Sequence, residues 1–272
     1  MRKPIIVLLI LLCAALTLFS GYMVFSEIRE YKEGSEAYDE LTEFVEQPKQ
    51  TEPETEPNTE PEPSETESMT EPEESTVVLP AVDFTALREK APDVIGWLTL
   101  TDTAINYPVV QADDNDYYLR RLYDGTYNQA GCLFADYRSE ADMSGRNTVI
   151  YGHNMRNGSM FSTLREYAAQ EYYEAHPTMY LITPDCGYIV EIFAAFTASP
   201  NETGSDTSPW RVEWPDEDAF AKWFTRAAER SVIKTDVAVE PSDKILTLST
   251  CTNSGKDRFL VMGKLTAVNE TE

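Results

Sequence analysis

The feature that most constrains the fold of this chain is a series of short segments with β-strand composition. Each segment is rich in β-branched or aromatic residues and is bounded by Gly, Pro, Asn or Asp, as strands joined by turns are. Regular spacing of this kind predicts an antiparallel barrel or a sandwich. The eight segments are 94–100, 105–110, 131–136, 147–152, 179–183, 188–196, 245–251 and 259–265.

Three helical patterns interrupt the strands. They cover residues 84–92, 160–176 and 215–231. In the third, Phe220, Trp223 and Phe224 share one face and acidic residues fill the first turn, which favours a helix that begins there. A domain over residues 81–272 is large enough to bury one substantial core.

Charge limits the partners of this chain. It has 272 residues and a formal net charge of −25, which disfavours nucleic acid as a partner. Part of that charge lies in residues 49–76, where ten glutamates are interspersed with Pro and Thr and no aromatic residue occurs. We therefore predict that residues 48–80 form a disordered spacer, with an acidic binding tail as the alternative.

An apolar segment near the N-terminus predicts the compartment. Residues 5–25 are uncharged and mostly apolar, about the length that crosses a bilayer as a helix. Arg2 and Lys3 precede this segment while Glu27 and Glu30 follow it, so the N-terminus should be cytoplasmic and the rest extracellular. A cleaved signal peptide is the competing interpretation, but the run is long for one and no A-x-A site follows.

These features divide the chain before residue 81 into three parts. Residues 1–26 are predicted to be a cytoplasmic tip and a single-pass signal anchor in the cell membrane. Residues 27–47 favour a short juxtamembrane helix that carries Tyr38 and Leu41 and is broken by Gly34. The spacer follows.

Four cysteines are few for an exported chain. Cys13 lies in the apolar span, which leaves Cys132, Cys186 and Cys251, so at least one thiol is unpaired unless two chains pair. We expect Cys132 to be buried and Cys186 to be exposed. A disulfide between these two is the alternative, and it needs their Cα atoms within about 7 Å.

Cys251 is the candidate nucleophile. In residues 245–251 the two-residue period of a strand places Cys251 on the face opposite Leu246 and Leu248. Turn-type residues follow, and Arg258 opens the next strand, so the two residues should face each other across a hairpin. A guanidinium in that position stabilises a thiolate and can hydrogen-bond an oxyanion. The alternative is a structural Cys beside a surface Arg.

Two histidines are available to move a proton. His153 follows an apolar strand at a Gly-His-Asn turn, where its side chain can project into a cleft. His176 precedes Pro177 at the end of a helical pattern, and helix termination explains it. His153 is therefore the predicted acid and base. Two distant histidines and no paired cysteine spacing predict no metal site, and we expect no cofactor.

At these residues the chain resembles class B sortases. The motif T-L-x-T-C followed by Arg is present as Thr247 to Cys251 with Arg258, and the histidine motif is Tyr151-Gly-His-Asn-Met. The resemblance extends in order through IGWLTL, INYPVVQ, YYL and GCLFAD and covers residues 81–268. It implies a mainly β fold with accessory helices: an eight-stranded sortase-type β-barrel, an N-terminal helix and a helix between strands 6 and 7.

The resemblance also implies a reaction and its partners. Cys251 would attack the Thr carbonyl of a C-terminal sorting signal related to LPxTG or NPxTx and form a thioacyl-enzyme. His153 would transfer protons, Arg258 would stabilise the tetrahedral intermediate, and an amine of a peptidoglycan precursor or a pilin would accept the acyl group. Residues expected to contact substrate are Ser249, Thr250 and Asn154.

Two other functions stay open at this stage. An L,D-transpeptidase also has His before Cys, but its S-x-G-C-x-R motif differs from the Thr-Asn-Ser that follows Cys251. A non-catalytic surface scaffold on a barrel would function without the thiol.

Overall fold

The computed structural model describes residues 2–46 and 79–268, and its dominant element is a closed eight-stranded barrel. Two short strands precede the barrel. The strands are β1 Val45–Glu46, β2 Ala81–Val82, β3 Val94–Thr99, β4 Asn106–Val110, β5 Leu133–Ala135, β6 Asn147–Tyr151, β7 Thr178–Ile182, β8 Gly187–Ala198, β9 Lys244–Cys251 and β10 Arg258–Val268. The α-helices are α1 Arg2–Leu41, α2 Phe84–Lys90, α3 Gln170–Ala175 and α4 Glu217–Arg230.

Strand order around the barrel is β3-β4-β5-β6-β9-β10-β8-β7, and β7 closes on β3. All eight predicted strands are present, and of the two predicted architectures, barrel and sandwich, the structure has the barrel. The expectation of an antiparallel barrel was wrong, because β4 pairs with β5 and β6 pairs with β9 in parallel. Parallel neighbours need a crossover connection, which the long segments 111–132 and 152–243 provide.

Two of the three predicted helices form as single elements. α2 opens the domain, and α4 lies between β8 and β9, the sixth and seventh barrel strands. Asp216 caps α4 by accepting a hydrogen bond from Ala219 N at 2.8 Å. The pattern at 160–176 instead gives a 3₁₀ helix, Ser162–Ala168, and then α3, because Ala169 between them is extended.

Three barrel strands near the active site, β6, β9 and β10, each contribute to two apolar clusters. Along β10, Val261 and Leu265 belong to the larger cluster, while Leu260 and Met262 belong to a second cluster beneath α4. Alternate side chains point to opposite faces of a strand, and here both faces are covered. This explains why the strand reads as a nearly continuous apolar run.

Helix α1 differs from the prediction of a separate juxtamembrane helix. It is continuous from Arg2 to Leu41, through Gly34. Gly34 is buried at the barrel, where an added Cβ would lie 3.1 Å from the Asn128 side chain. The glycine therefore permits close approach of the helix instead of breaking it. Tyr38 and Leu41 belong to the larger cluster, so this end of α1 packs with the barrel.

The predicted spacer falls on residues that lie, for the most part, outside the described ones. Its two flanks are described, and they pair with each other: Val45 lies opposite Val82 and Glu46 opposite Ala81 in a two-stranded antiparallel sheet. The chain therefore leaves and re-enters the domain at the same place. The division into four domains stays a prediction.

Candidate active site

The strand that carries Cys251 ends in a tight hairpin. Cys251 is the last residue of β9 and Arg258 is the first residue of β10, and the two residues are directly paired. Backbone hydrogen bonds from Thr252 N to Asp257 O (3.0 Å) and from Gly255 N to Thr252 O (2.9 Å) close the loop between them. Directly opposed residues of an antiparallel pair have Cβ atoms about 5 Å apart. The two side chains therefore leave the backbone from adjacent positions on the same face of the sheet.

The Arg258 side chain is half-buried and weakly held. Its guanidinium donates to Gly255 O at 3.4 Å and to Asp257 O at 3.3 Å. A charge-assisted hydrogen bond is typically about 2.7–2.9 Å long, so both contacts are poor ones. Turning the guanidinium toward an anionic oxygen near Cys251 would therefore cost little.

The parallel pairing of β6 with β9 brings His153 to the same end of the barrel as Cys251. Tyr151 lies opposite Ser249, and Gly152 N donates to Ser249 O at 3.2 Å, which extends the pairing by one residue. The His153 ring follows at once and is partly buried. Its Nε2 donates to Leu119 O at 2.7 Å, so Nδ1 is the nitrogen that can accept a proton in the neutral ring.

A single groove contains all three predicted catalytic side chains. Its volume is about 260 Å³. His153, Cys251 and Arg258 line it together with two residues predicted to contact substrate, Ser249 and Thr250. Its other walls come from Asn115, Leu119, Phe134, Tyr151 and Gly152.

Asn154, the third residue predicted to contact substrate, lines a neighbouring cleft and not the groove itself. Its Nδ2 donates to the Cys251 carbonyl at 3.0 Å and to Asn253 Oδ1 at 3.3 Å. These bonds connect the turn after His153 to the hairpin that carries the nucleophile. Asn154 borders a second cleft of about 430 Å³ on another side of Cys251, which Arg165 and Glu166 also line.

Ser249 and Thr250 lie in the groove wall but are almost fully buried, with exposures of 2% and 1% respectively. Trp210 lies in the segment 199–216 between β8 and α4, here called the Trp210 segment. Its Nε1 donates to Ser249 Oγ at 3.0 Å, so this hydroxyl holds the segment against the barrel. Thr250 Oγ1 is buried and has no hydrogen-bond partner among the described residues. An unpaired buried hydroxyl is unfavourable, so Thr250 Oγ1 destabilises this part of the wall.

Comparison with known proteins identifies the family. The sequence profile of the Sortase domain matches residues 98–266. The chain belongs to the sortase family. Sortase B of Listeria monocytogenes is 40% identical over 182 residues, which are 66% of this chain and 72% of that protein.

Solved structures agree with that assignment. A Bacillus anthracis protein described as similar to sortase B matches with a TM-score of 0.62 and 38% identity, over 68% of this chain and 83% of that one. A Staphylococcus aureus sortase B–substrate complex matches with a TM-score of 0.63 and 28% identity, over 68% and 85%. A sortase B complexed with triglycine gives 0.63 and 29%, over 68% and 86%. This chain is thus a class B sortase, a cysteine transpeptidase by family, which sets aside the L,D-transpeptidase and scaffold alternatives.

A buried ionic network supports the groove of this sortase. Asp136 is completely buried and accepts hydrogen bonds from Arg138 Nε at 2.8 Å, from Tyr151 OH at 2.8 Å and from Asn115 Nδ2 at 3.1 Å. Arg138 also donates to Trp210 O at 3.2 Å. Tyr151 and Asn115 line the groove, so the carboxylate holds two of its walls and, through Arg138, the Trp210 segment.

The same network determines the protonation states of Asp136 and Tyr151. Burial opposes ionisation of Asp136, but the hydrogen bonds from Arg138 and Tyr151 outweigh it and hold the pKa of the carboxyl below its usual range. Burial and the neighbouring Asp136 charge raise the pKa of Tyr151. Tyr151 therefore stays a neutral hydrogen-bond donor beside the groove.

The remaining cysteines of the sortase domain have no part in the groove. Cys132 is fully buried, and burial raises the pKa of its thiol to about 12. Cys186 is half-buried and packs against the larger apolar cluster, so the expectation that it is exposed was wrong. Both thiols are free, which excludes the disulfide between them in this structure.

Proposed function

We propose that this sortase cleaves a C-terminal sorting signal of the LPxTG or NPxTx type after its Thr and transfers the protein to an amine. The observation that carries the proposal is the arrangement of Cys251, His153 and Arg258 around one groove. A groove is the form of site that an extended peptide needs. The sortase B relatives with a bound substrate and with triglycine support a peptide donor and an amine acceptor.

The first half-reaction would form a thioester. The Cys251 thiolate attacks the Thr carbonyl carbon, and the carbonyl oxygen becomes an oxyanion next to Arg258, whose guanidinium stabilises it. Collapse of this intermediate breaks the peptide C–N bond. The leaving nitrogen takes a proton from the imidazolium of His153 and departs as an amine.

The second half-reaction would reverse these roles. A neutral amine attacks the thioester carbonyl, and His153 accepts the proton that the nitrogen loses. The C–S bond then breaks and regenerates the Cys251 thiolate, while a new amide joins the protein to its acceptor. Since Leu119 O holds Nε2, Nδ1 is the nitrogen assigned to both proton transfers.

The acceptor and the location belong to the same proposal. We assign the acceptor to an amine of a peptidoglycan precursor or of a pilin. Among the described residues one helix, α1, is long and apolar enough to cross a bilayer, and none of its apolar window is buried in the protein. We therefore assign α1 to a single-pass anchor with a cytoplasmic N-terminus and an extracellular catalytic domain.

A panel of fluorogenic pentapeptides tests the proposal. The full chain in detergent should cleave peptides after Thr, and triglycine should divert the acyl group into a ligated product. Cys251→Ala should abolish cleavage, whereas Cys186→Ser, which changes a thiol outside the groove, should retain it. Equal cleavage by the wild type and Cys251→Ala would remove the proposal.

A further inference from the structure

Helix α1 connects the apolar span to the barrel without interruption. It is a single α-helix from Arg2 to Leu41. At about 1.5 Å per residue, residues 5–25 extend about 31 Å, which matches the thickness of a bilayer core. Among the described residues of α1, Glu30 is the first that is hydrogen-bonded to the catalytic domain, and it lies only about 7.5 Å beyond Phe25 along the helix.

The contacts between α1 and the barrel form a helical stripe. Gly34, Tyr38 and Leu41 are buried. Around them, Asn128 Nδ2 donates to Glu30 O at 3.0 Å, and Gln129 N donates to the Glu30 carboxylate at 2.8 Å. Further along, Tyr123 OH donates to Ala37 O at 3.2 Å, and Tyr38 OH donates to Gly131 O. Burial and hydrogen bonds over three turns fix the helix relative to the barrel.

The acidic segment does not lie between the span and the barrel. Its flanks pair as β1 and β2 beyond the end of α1. The distance from the apolar span to the barrel is therefore set by α1 alone. A flexible linker would allow any orientation of the barrel, whereas a continuous helix packed on the barrel restricts the orientation to the range that tilting of the helix allows.

Contacts along α1 show which end of the barrel is nearest to the apolar span. Tyr31 shares a cavity of about 130 Å³ with Asn157 and Ser159, which belong to the turn that follows His153. That turn is closed by a bridge between Asn154 and Met160. At the other end of the stripe, Lys90 of α2 contacts Glu40 and Glu43. Tyr31 and Glu40 are nine residues apart, or about 14 Å along the helix.

We propose that α1 holds the barrel at the bilayer with one end toward the lipid, so that the turn Met155–Ser159, whose central residues are exposed, faces the lipid headgroups. The partner of this surface is the outer face of the bilayer, and the active-site end of the barrel opens toward it. Substrates that are themselves anchored in the membrane can then reach Cys251 close to the bilayer surface. The inference rests on the anchoring assigned above and not on cleavage of a particular peptide.

Energy transfer to the bilayer tests this orientation. The full chain, with Cys13→Ala, Cys186→Ser and Cys251→Ala, is reconstituted in phosphatidylcholine vesicles that contain a headgroup-labelled acceptor lipid. A donor dye is attached to Asn157→Cys in one sample and, as the matched control at the far end of α1, to Glu89→Cys in the other. Both positions are exposed, and the buried Cys132 is left in place.

The donor at position 157 should lie about 14 Å closer to the acceptor lipids than the donor at position 89. A twelve-residue Gly-Ser insertion between Ser26 and Glu27 should abolish that difference. Equal transfer from the two positions without the insertion, or stronger transfer from position 89, would overturn the orientation. So would a chain that fails to float with the vesicles. Absence of peptide cleavage by the wild-type chain in detergent, with the distance difference intact in the labelled chains, would count against the proposed function alone.

Discussion

Gly152→Ala should damage both the stability and the activity of this sortase. Gly152 immediately precedes His153, and a Cβ added there would lie 2.5 Å from Leu133 Cδ2 and 2.6 Å from Phe161 Cδ2. Optimal carbon contacts are about 3.5–4.0 Å, so these groups would have to separate by about 1 Å. Leu133 and Phe161 are fully buried, and neither has free space to move into.

The magnitude follows from these contacts. Overpacking of a filled core costs about 1–3 kcal/mol, so we expect a loss of about 2 kcal/mol in the free energy of unfolding. For a domain of this size that corresponds to a fall in Tm of about 4–8 °C. The displaced backbone also carries the His153 ring, and a misplacement of about 1 Å reduces kcat/KM by up to about 100-fold.

Thermal unfolding and peptide cleavage of the purified chain measure the two effects. Gly145→Ala is the matched control, because its added Cβ would meet Glu140 Cγ at 3.6 Å, an ordinary contact. The control should leave Tm within about 1 °C of the wild type and cleavage unchanged. If Gly152→Ala and Gly145→Ala unfold at the same temperature, the inference that Leu133 and Phe161 pack closely against Gly152 is wrong.

Three further substitutions test the surroundings of the groove. Asn154→Ala should lower kcat about tenfold with little change in KM, because the variant loses the hydrogen bond to the Cys251 carbonyl. A rise in KM without a change in kcat would instead indicate that the Asn154 amide binds substrate. Asp136→Asn should destabilise the fold by about 2–4 kcal/mol at neutral pH. Because the folded pKa of Asp136 is lowered, its contribution is fully present above the unfolded pKa of about 4 and is lost as pH falls through the folded pKa. In acid titrations the stabilities of wild type and variant should therefore begin to converge only below about pH 4, and a constant gap would refute this. Trp210→Phe and Ser249→Ala should be non-additive by about 1 kcal/mol in a double-mutant cycle, whereas additivity would contradict their hydrogen bond.

The sequence predicted the elements of the fold better than their arrangement. β9 and β10 could be predicted because their apolar runs stop at turn residues, and the pairing of Cys251 with Arg258 follows from the hairpin alone. The parallel pairing of β6 with β9 depends on crossovers, for which local patterns carry no information. That pairing brings His153 to the nucleophile, so the proximity of the two motifs had to be taken from the resemblance.

Residues that position the groove side chains through hydrogen bonds or packing were harder to predict. Leu119 bonds His153 through its backbone carbonyl, which no side-chain pattern reveals. Asp136 did carry a signal, since an acidic residue directly after an apolar strand and two before an arginine is a candidate for a buried ion pair. Gly34 was misread because glycine both breaks helices and allows close packing, and the decision between these depends on the tertiary contact with Asn128.

Capture of the covalent intermediate tests the central claim most directly. The full chain in detergent is mixed with a sorting-signal pentapeptide, quenched in acid and measured by intact-protein and peptide mass spectrometry. We predict an acyl adduct on Cys251 that disappears when triglycine is added and is absent from Cys251→Ala. Cleavage without an adduct on Cys251, or an adduct that persists with triglycine present, would contradict the mechanism.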